Sequence, residues 1–130
     1  MFSSNNSQLQ VYFNLLKKLY KSQLRYLDSV SSIQLIETKW PTNKVELIEL
    51  LGDFYFNDQK YLQASNVYIY LKNFRDPSLN LLFKIAKAYY LSGNFKESIT
   101  FAKKSYDLSP TNLQISKLYL DCLLSFGEAK

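Results

Sequence analysis

The sequence contains no histidine. That absence removes Ser-His and Cys-His nucleophile pairs, the imidazole acid or base that works near neutral pH, and any mixed His/Cys metal site. A single cysteine, Cys122, has no partner for an internal disulfide, which fits a reducing compartment. Set among Tyr119, Leu123 and Leu124, it reads as a buried, inert thiol. Three glycines and three prolines in 130 residues are too few for the many tight turns of a small β-sandwich or barrel. No stretch approaches the roughly eighteen uncharged apolar residues of a membrane span. The opening Met1-Phe2-Ser3-Ser4-Asn5-Asn6-Ser7 has no basic stretch ahead of an apolar block, so no secretory signal is read there. Phosphate-binding glycine loops and nucleophile elbows are missing too. Acidic pairs exist, Glu46/Glu49 and Asp53/Asp58, but on an exposed helix face and the turn after it, where they are expected to be solvated. No catalytic residue, cofactor or metal ligand is assigned. The expectation is a non-enzyme of the cytosol or nucleus.

What is present is apolar and aromatic. Hydrophobic residues make up 47% of the chain, with eleven tyrosines and nine phenylalanines, enough to bury the core of one domain. Sixteen basic against eleven acidic residues leave a net charge of +5. The surplus falls in residues 1–44, with six basic and two acidic side chains, and in 80–113, with five and two, yet no run reaches the five or six like charges of a nucleic-acid tail.

The chain repeats itself every 34 residues. Leu51 recurs as Ile85, Gly52 as Ala86, Tyr55 as Tyr89, Phe56 as Tyr90, Tyr61 as Phe95, Ala64 as Ser98, and Gly93 as Gly127. Small replaces small and ring replaces ring at one offset, the mark of stacked helix pairs. Leu82, Ile85, Ala86 and Tyr89 lie on one face of a helix that Ser92-Gly93-Asn94 ends, with Gly93 suited to a left-handed cap. A second helix runs from Phe95 to about Leu108, turning Ile99, Ala102 and Tyr106 inward, and stops at Ser109-Pro110-Thr111-Asn112. The preceding unit has the same order: a helix over 46–56 with Asn43 and Glu46 as a capping box, a turn at 57–59, and a helix from Tyr61 to about Asn73.

With these slots filled, residues 80–112 resemble a tetratricopeptide (TPR) repeat through Leu82, Ile85, Ala86, Tyr89, Gly93, Phe95, Ser98 and Pro110. Residues 46–79 match more loosely through Leu51, Gly52, Tyr55, Tyr61, Ala64 and Tyr68; Gln59 stands where a glycine is usual, and Pro77 falls one residue late. The resemblance implies an all-α fold of antiparallel helix pairs stacked as a right-handed solenoid. About two and a half repeats would follow an N-terminal helical pair: a disordered 1–7, the pair over 8–44, repeats over 46–79 and 80–113, and a further first or capping helix over 114–127. Tyr55, Tyr61, Tyr68, Tyr89 and Phe95 would then be buried wedges between helices.

In the N-terminal pair, Leu9, Phe13, Leu16, Tyr20, Leu24 and Leu27 form an apolar stripe opposite Lys17, Lys21 and Arg25. A short helix around Val30, Ile33 and Ile36 ends at Trp40-Pro41. The cations read as a solvated face, ahead of a nucleic-acid or membrane surface. The last helix is apolar almost all round, with Ile115, Leu118, Leu120, Cys122, Leu123, Leu124 and Phe126. A terminal solenoid helix should be polar outside, so the expectation is a fragment of a longer repeat protein or a domain completed by a partner.

The resemblance places a partner-binding groove on the first helices of successive repeats. One repeat would contribute Leu47, Leu50, Phe54 and Asn57; the next, Leu81, Lys84, Ala88 and Leu91; the last helix, Ile115, Leu118 and Cys122. Such an apolar groove suits an amphipathic helix or an extended apolar peptide, unless the N-terminal helices or a second copy cover it. Heat-shock-protein tails do not fit. The carboxylate-clamp slots hold Glu49, Asp53, Lys84, Gln114 and Leu118, and four of these five lack the needed donors. The function expected is a protein–protein scaffold module that binds a peptide or self-associates. One alternative is a subunit like those of the anaphase-promoting complex, whose N-terminal repeats dimerise or dock partners. The other is a basic helical nucleic-acid module, disfavoured because most rings are expected in packing slots.

Overall fold

The computed structural model describes residues 2–129, and the side chains of residues 7–127. It is all-helical, with no strand among the described residues. Seven α-helices occur among the described residues: α1 Phe2–Ser22, α2 Ser29–Lys39, α3 Lys44–Asn57, α4 Tyr61–Tyr70, α5 Leu79–Leu91, α6 Phe95–Leu108 and α7 Leu113–Ala129. They fall into two compact units, residues 1–74 and 75–130.

In the first unit the apolar stripe of α1 packs its buried Leu16 and Tyr20 toward α3. A 3-10 turn over Leu24–Tyr26 follows, and Asp28 then caps α2 by accepting the Ser31 N–H at 2.7 Å. Trp40 and Pro41 end α2, since the residue before a proline is steered out of the helical region. Leu47, Ile48, Leu51, Gly52 and Tyr55 are the buried stripe of α3, and Ala64, Ser65, Val67 and Tyr68 that of α4. Gly52 has a steric reason. A Cβ there would lie 2.7 Å from Tyr68 Cδ1 and nearer still to Cε1, so only glycine lets the ring lie against the α3 backbone.

In the second unit Ser78 caps α5 through the Leu81 N–H, and Asn112 accepts the Ile115 N–H at the start of α7. Leu81, Leu82, Ile85, Ala86 and Ala88 are buried on α5. Between its neighbours, α6 packs on both α5 and α7. Its inward face is Ser98, Phe101, Ala102 and Ser105, spaced i, i+3, i+4, i+7.

The 34-residue offset extends to the backbone. Lys60 N–H bonds the Tyr55 carbonyl at 2.9 Å and Asn94 N–H bonds Tyr89 at 2.9 Å; Gln59 bonds Phe56 and Gly93 bonds Tyr90 in the same way. Both turns pass through the left-handed region, at φ +62° for Gln59 and +85° for Gly93. The rings repeat as well: Phe56 meets Tyr61 edge-on at 5.1 Å, and Tyr90 meets Phe95 at 5.7 Å.

Several expectations need correction. Residues 2–7 are helical, continuing α1 where disorder was expected, because extending an existing helix avoids the nucleation cost. Asn43 forms no capping box; it lies in a 3-10 turn over Pro41–Asn43 and its side chain does not bond the helix. Gly127 does not end α7, which runs on to Ala129. Ile99 and Tyr106 are half-exposed, since the small Ser98 and Ser105 and the ring of Phe101 take the inward positions instead. Among the tyrosines and phenylalanines whose side chains are described, only Tyr20, Tyr55, Tyr68 and Phe101 are buried; Tyr61, Tyr89 and Phe95 are half-buried.

Candidate functional site

Two clefts stand out, one in each unit. In the second unit a groove runs between α5 and α7, formed by two depressions that share Phe83 and Gln114. The larger, about 340 Å³, is lined by Phe83, Lys87, Tyr90, Leu91, Gln114, Lys117, Leu118 and Asp121. The smaller, about 250 Å³, continues past Leu79, Asn80, Asn112 and Ile115. From Leu79 to Leu91 the α5 wall is about 18 Å long at 1.5 Å per residue, room for some five residues of extended peptide. Apolar and polar side chains both line the groove, so it offers both burial and orientation.

The register of this groove differs from expectation. Leu91, Leu118 and Ile115 do line it, although little of Ile115 reaches the surface. Leu81, Ala88 and Cys122 are buried and present no surface to a partner. Lys84 is half-buried and lines neither depression. Besides Leu79 and Leu91, the α5 wall consists of Asn80, Phe83, Lys87 and Tyr90, a face turned by about one residue from the expected one. The most apolar face of a helix is the one the core takes, and the groove is bordered by the flank beside it.

No family model matches the sequence, and no curated protein matches it. The site therefore rests on its own geometry.

In the first unit Leu47 is buried, Leu50 and Phe54 are half-buried, and Asn57 is exposed. The chain's own α1 covers part of this face: the Tyr20 ring lies 5.5 Å from Phe54 and 5.3 Å from Tyr55. Beside it opens a cleft of about 350 Å³ lined by Lys17, Tyr20, Lys21, Arg25, Phe54, Asn57 and Asp58. Asp58 accepts from the Tyr20 hydroxyl at 3.0 Å and from Arg25 Nη2 at 3.2 Å. Lys60 Nζ donates to the Arg25 carbonyl and pins the turn that carries it. Burial and the Asp58 carboxylate together push the Tyr20 hydroxyl well above the ordinary tyrosine range, so it stays protonated and acts as a donor.

Tyrosine hydroxyls hold much of this unit together. Tyr55 donates toward the Leu24 and Leu27 carbonyls, each at 3.0 Å, and shares a 2.8 Å contact with Ser32 Oγ. Tyr68 donates to Asp53 at 2.6 Å and Tyr70 to Glu37 at 2.8 Å. Asp53 and Asp58 are thus held carboxylates and not the free surface charges expected. Burial raises the Tyr55 and Tyr68 hydroxyls. It also raises the Cys122 thiol, against the hydrogen bond from Ser98, which keeps the sulfur protonated and unreactive. Among the described residues no three His, Cys, Asp or Glu side chains come together where a metal ion could sit, and no helix is long and apolar enough to cross a membrane.

Proposed function

We propose that the chain is a TPR-like protein–protein interaction module whose α5/α7 groove binds a peptide or helix. The observation that carries this reading is the groove itself: an elongated depression, too open to enclose a small molecule, with Phe83, Leu91 and Leu118 for an apolar contact and Lys87, Lys117, Gln114 and Asp121 to set register. The 34-residue repetition of turn, ring pair and small residue supports the repeat assignment. Selection from a displayed peptide library tests the proposal. Enriched peptides should lose binding on Leu118→Asp and keep it on Thr100→Asp, which lies on the exposed face of α6. Equal loss with both, or no enrichment, counts against the groove.

Self-association is a second reading, favoured by the outer face of α7. Leu113, Leu120 and Leu124 are 85%, 55% and 57% exposed, spaced i, i+7, i+11 along one stripe. A concentration-dependent dimer in light scattering that dissolves on Leu120→Lys would support it; a monomer at every concentration would remove it.

A further inference from the structure

We propose that the α1/α3 cleft of the first unit is a second docking site, for an acidic peptide segment, separate from the α5/α7 groove and independent of it. Three cations line this one depression. Lys17 and Lys21 are a helical turn apart on α1, and Arg25 follows in the 3-10 turn over Leu24–Tyr26. Both lysines are exposed, and among the described residues no carboxylate engages either of them. Against three positive charges the cleft has one negative, Asp58, already satisfied by Tyr20 and Arg25.

Asp58 orients Arg25 more than it quenches it. Only Nη2 of the guanidinium reaches the carboxylate, at 3.2 Å, so donors of the five-hydrogen fork remain for a ligand. The guanidinium carbon also lies 5.5 Å from the centroid of the Tyr26 ring, and Lys60 holds the Arg25 backbone. A flexible surface arginine loses rotamer entropy when it binds a carboxylate; here part of that loss has occurred on folding. Phe54, half-buried against Tyr20, supplies an apolar patch beside the charges.

The shape of the charge selects the ligand class. Lys17 and Lys21 lie about 6 Å apart along the α1 axis at 1.5 Å per residue, and Arg25 adds a third charge beyond the end of that helix at Ser22. A single phosphate is a point charge and reaches only part of that row. An extended chain advances about 3.3 Å per residue, so acidic residues two apart match the lysine pair and a further one can meet Arg25. A nearby apolar side chain on such a segment would lie over Phe54.

The test measures anisotropy of a fluorescent glutamate-rich peptide containing one leucine against the whole protein. Binding should weaken steeply with added salt. Lys17→Glu with Lys21→Glu should weaken it at least about tenfold, the effect of reversing two contacting charges. Lys18→Glu with Lys96→Glu changes net charge equally but leaves the cleft untouched, and should cost less than about twofold. Backbone amides of Phe54, Asn57 and Asp58 should shift on titration, and Leu118→Asp should change nothing. Equal loss in both charge-reversed pairs would show a non-specific basic surface and overturn the proposal. Tighter binding of oligouridine than of the acidic peptide would overturn it in favour of nucleic acid. Displacement by inorganic phosphate at the peptide's own concentration would reduce the site to a point-anion pocket and overturn the linear ligand.

Discussion

The hairpins α3–α4 and α5–α6 share a register and differ in how they fill it. Gly52 lies under the Tyr68 ring, while the residues 34 positions on are Ala86 and Ala102, both buried. A large side chain facing none has been replaced by two small ones, with the turn and the ring pair beside it unchanged. Tyr55 is buried and its hydroxyl fastens the segment between α1 and α2; Tyr89 is half-buried, and its ring stacks on Phe101 at 5.9 Å. One backbone module thus tolerates two packings at the helix crossing, a ring laid over bare backbone in one and two methyl groups in the other. The first unit covers part of α3 with its own α1 and adds a set of tyrosine–carboxylate bonds, while leaving Val11, Leu15 and Val30 exposed. The second leaves the leucines of α7 exposed.

The largest test of this contrast is to exchange the packing pair. Tyr68→Ala should cost about 3–5 kcal/mol from the cavity it leaves, and Gly52→Ala about 1–3 kcal/mol from overlap with the ring. Together they recreate the Ala/Ala arrangement of the other hairpin, so the Gly52→Ala penalty should vanish in the Tyr68→Ala background. Denaturant unfolding of the four proteins measures this coupling, and strict additivity would show that the two sites do not interact.

Next in size is the pair of equivalent tyrosines. Tyr55→Phe removes the bonds to Ser32 and to the Leu24 and Leu27 carbonyls, although Ser32 and the Leu27 N–H still reach the Leu24 carbonyl, and should destabilise by about 1–3 kcal/mol. Tyr89→Phe should stay within about 0.5 kcal/mol. Hydrogen exchange of the α2 and α3 amides separates the local effect of the first change from the second.

The same hydroxyls set an alkaline limit. Tyr20, Tyr55 and Tyr68 are raised in the folded chain above the ordinary value of 10.0. Their contribution is complete below that value and declines as pH rises past it, because unfolded tyrosines ionise first. The first unit should therefore lose protection above about pH 10 earlier than the second, where Tyr89 is raised by partial burial. Tyrosinate absorbance followed with hydrogen exchange reports the order, and simultaneous loss would contradict it.

The smallest effect concerns the two turns. Gln59 holds φ +62° where its equivalent is Gly93. Gln59→Gly should stabilise by about 0.5–1 kcal/mol, the left-handed strain relieved less the added freedom of glycine in the unfolded chain. Gly93→Gln should cost about 1 kcal/mol. Equal and negligible shifts in midpoint for both would remove the argument.

Helix limits were largely legible because caps and breakers act locally. Gly93 ends α5, and Trp40-Pro41 stops α2 within one residue of expectation. Exposed apolar surface on α7 at Leu120, Leu123 and Leu124 was legible too, since apolar residues occur almost all round that helix. The groove was legible in outline only. Leu47, Leu81 and Ala88 were assigned to it as apolar positions on first helices, but a periodic pattern marks the buried face of a helix without saying which flank borders a cleft. Phe83, Lys87 and Gln114 gave no periodic signal, being mixed in polarity. Lys17, Lys21 and Arg25 read as a solvated face because a one-dimensional pattern cannot show the wall formed opposite them by Phe54 and Asp58.

By itself the sequence determined the helical class, the 34-residue register and the left-handed turn at Gly93. These depend on residues near one another along the chain, through propensity, periodicity and backbone sterics. Only the tertiary structure decided that Gly52 makes room for Tyr68, that Tyr55 fastens the segment around Leu24, and that Asp58 holds Arg25 at the edge of a cationic cleft. Each of those pairings joins residues many positions apart. The first is a steric fit, and the other two form because folding brings a polar group, drawn partly or wholly out of water, within reach of hydrogen-bonding partners.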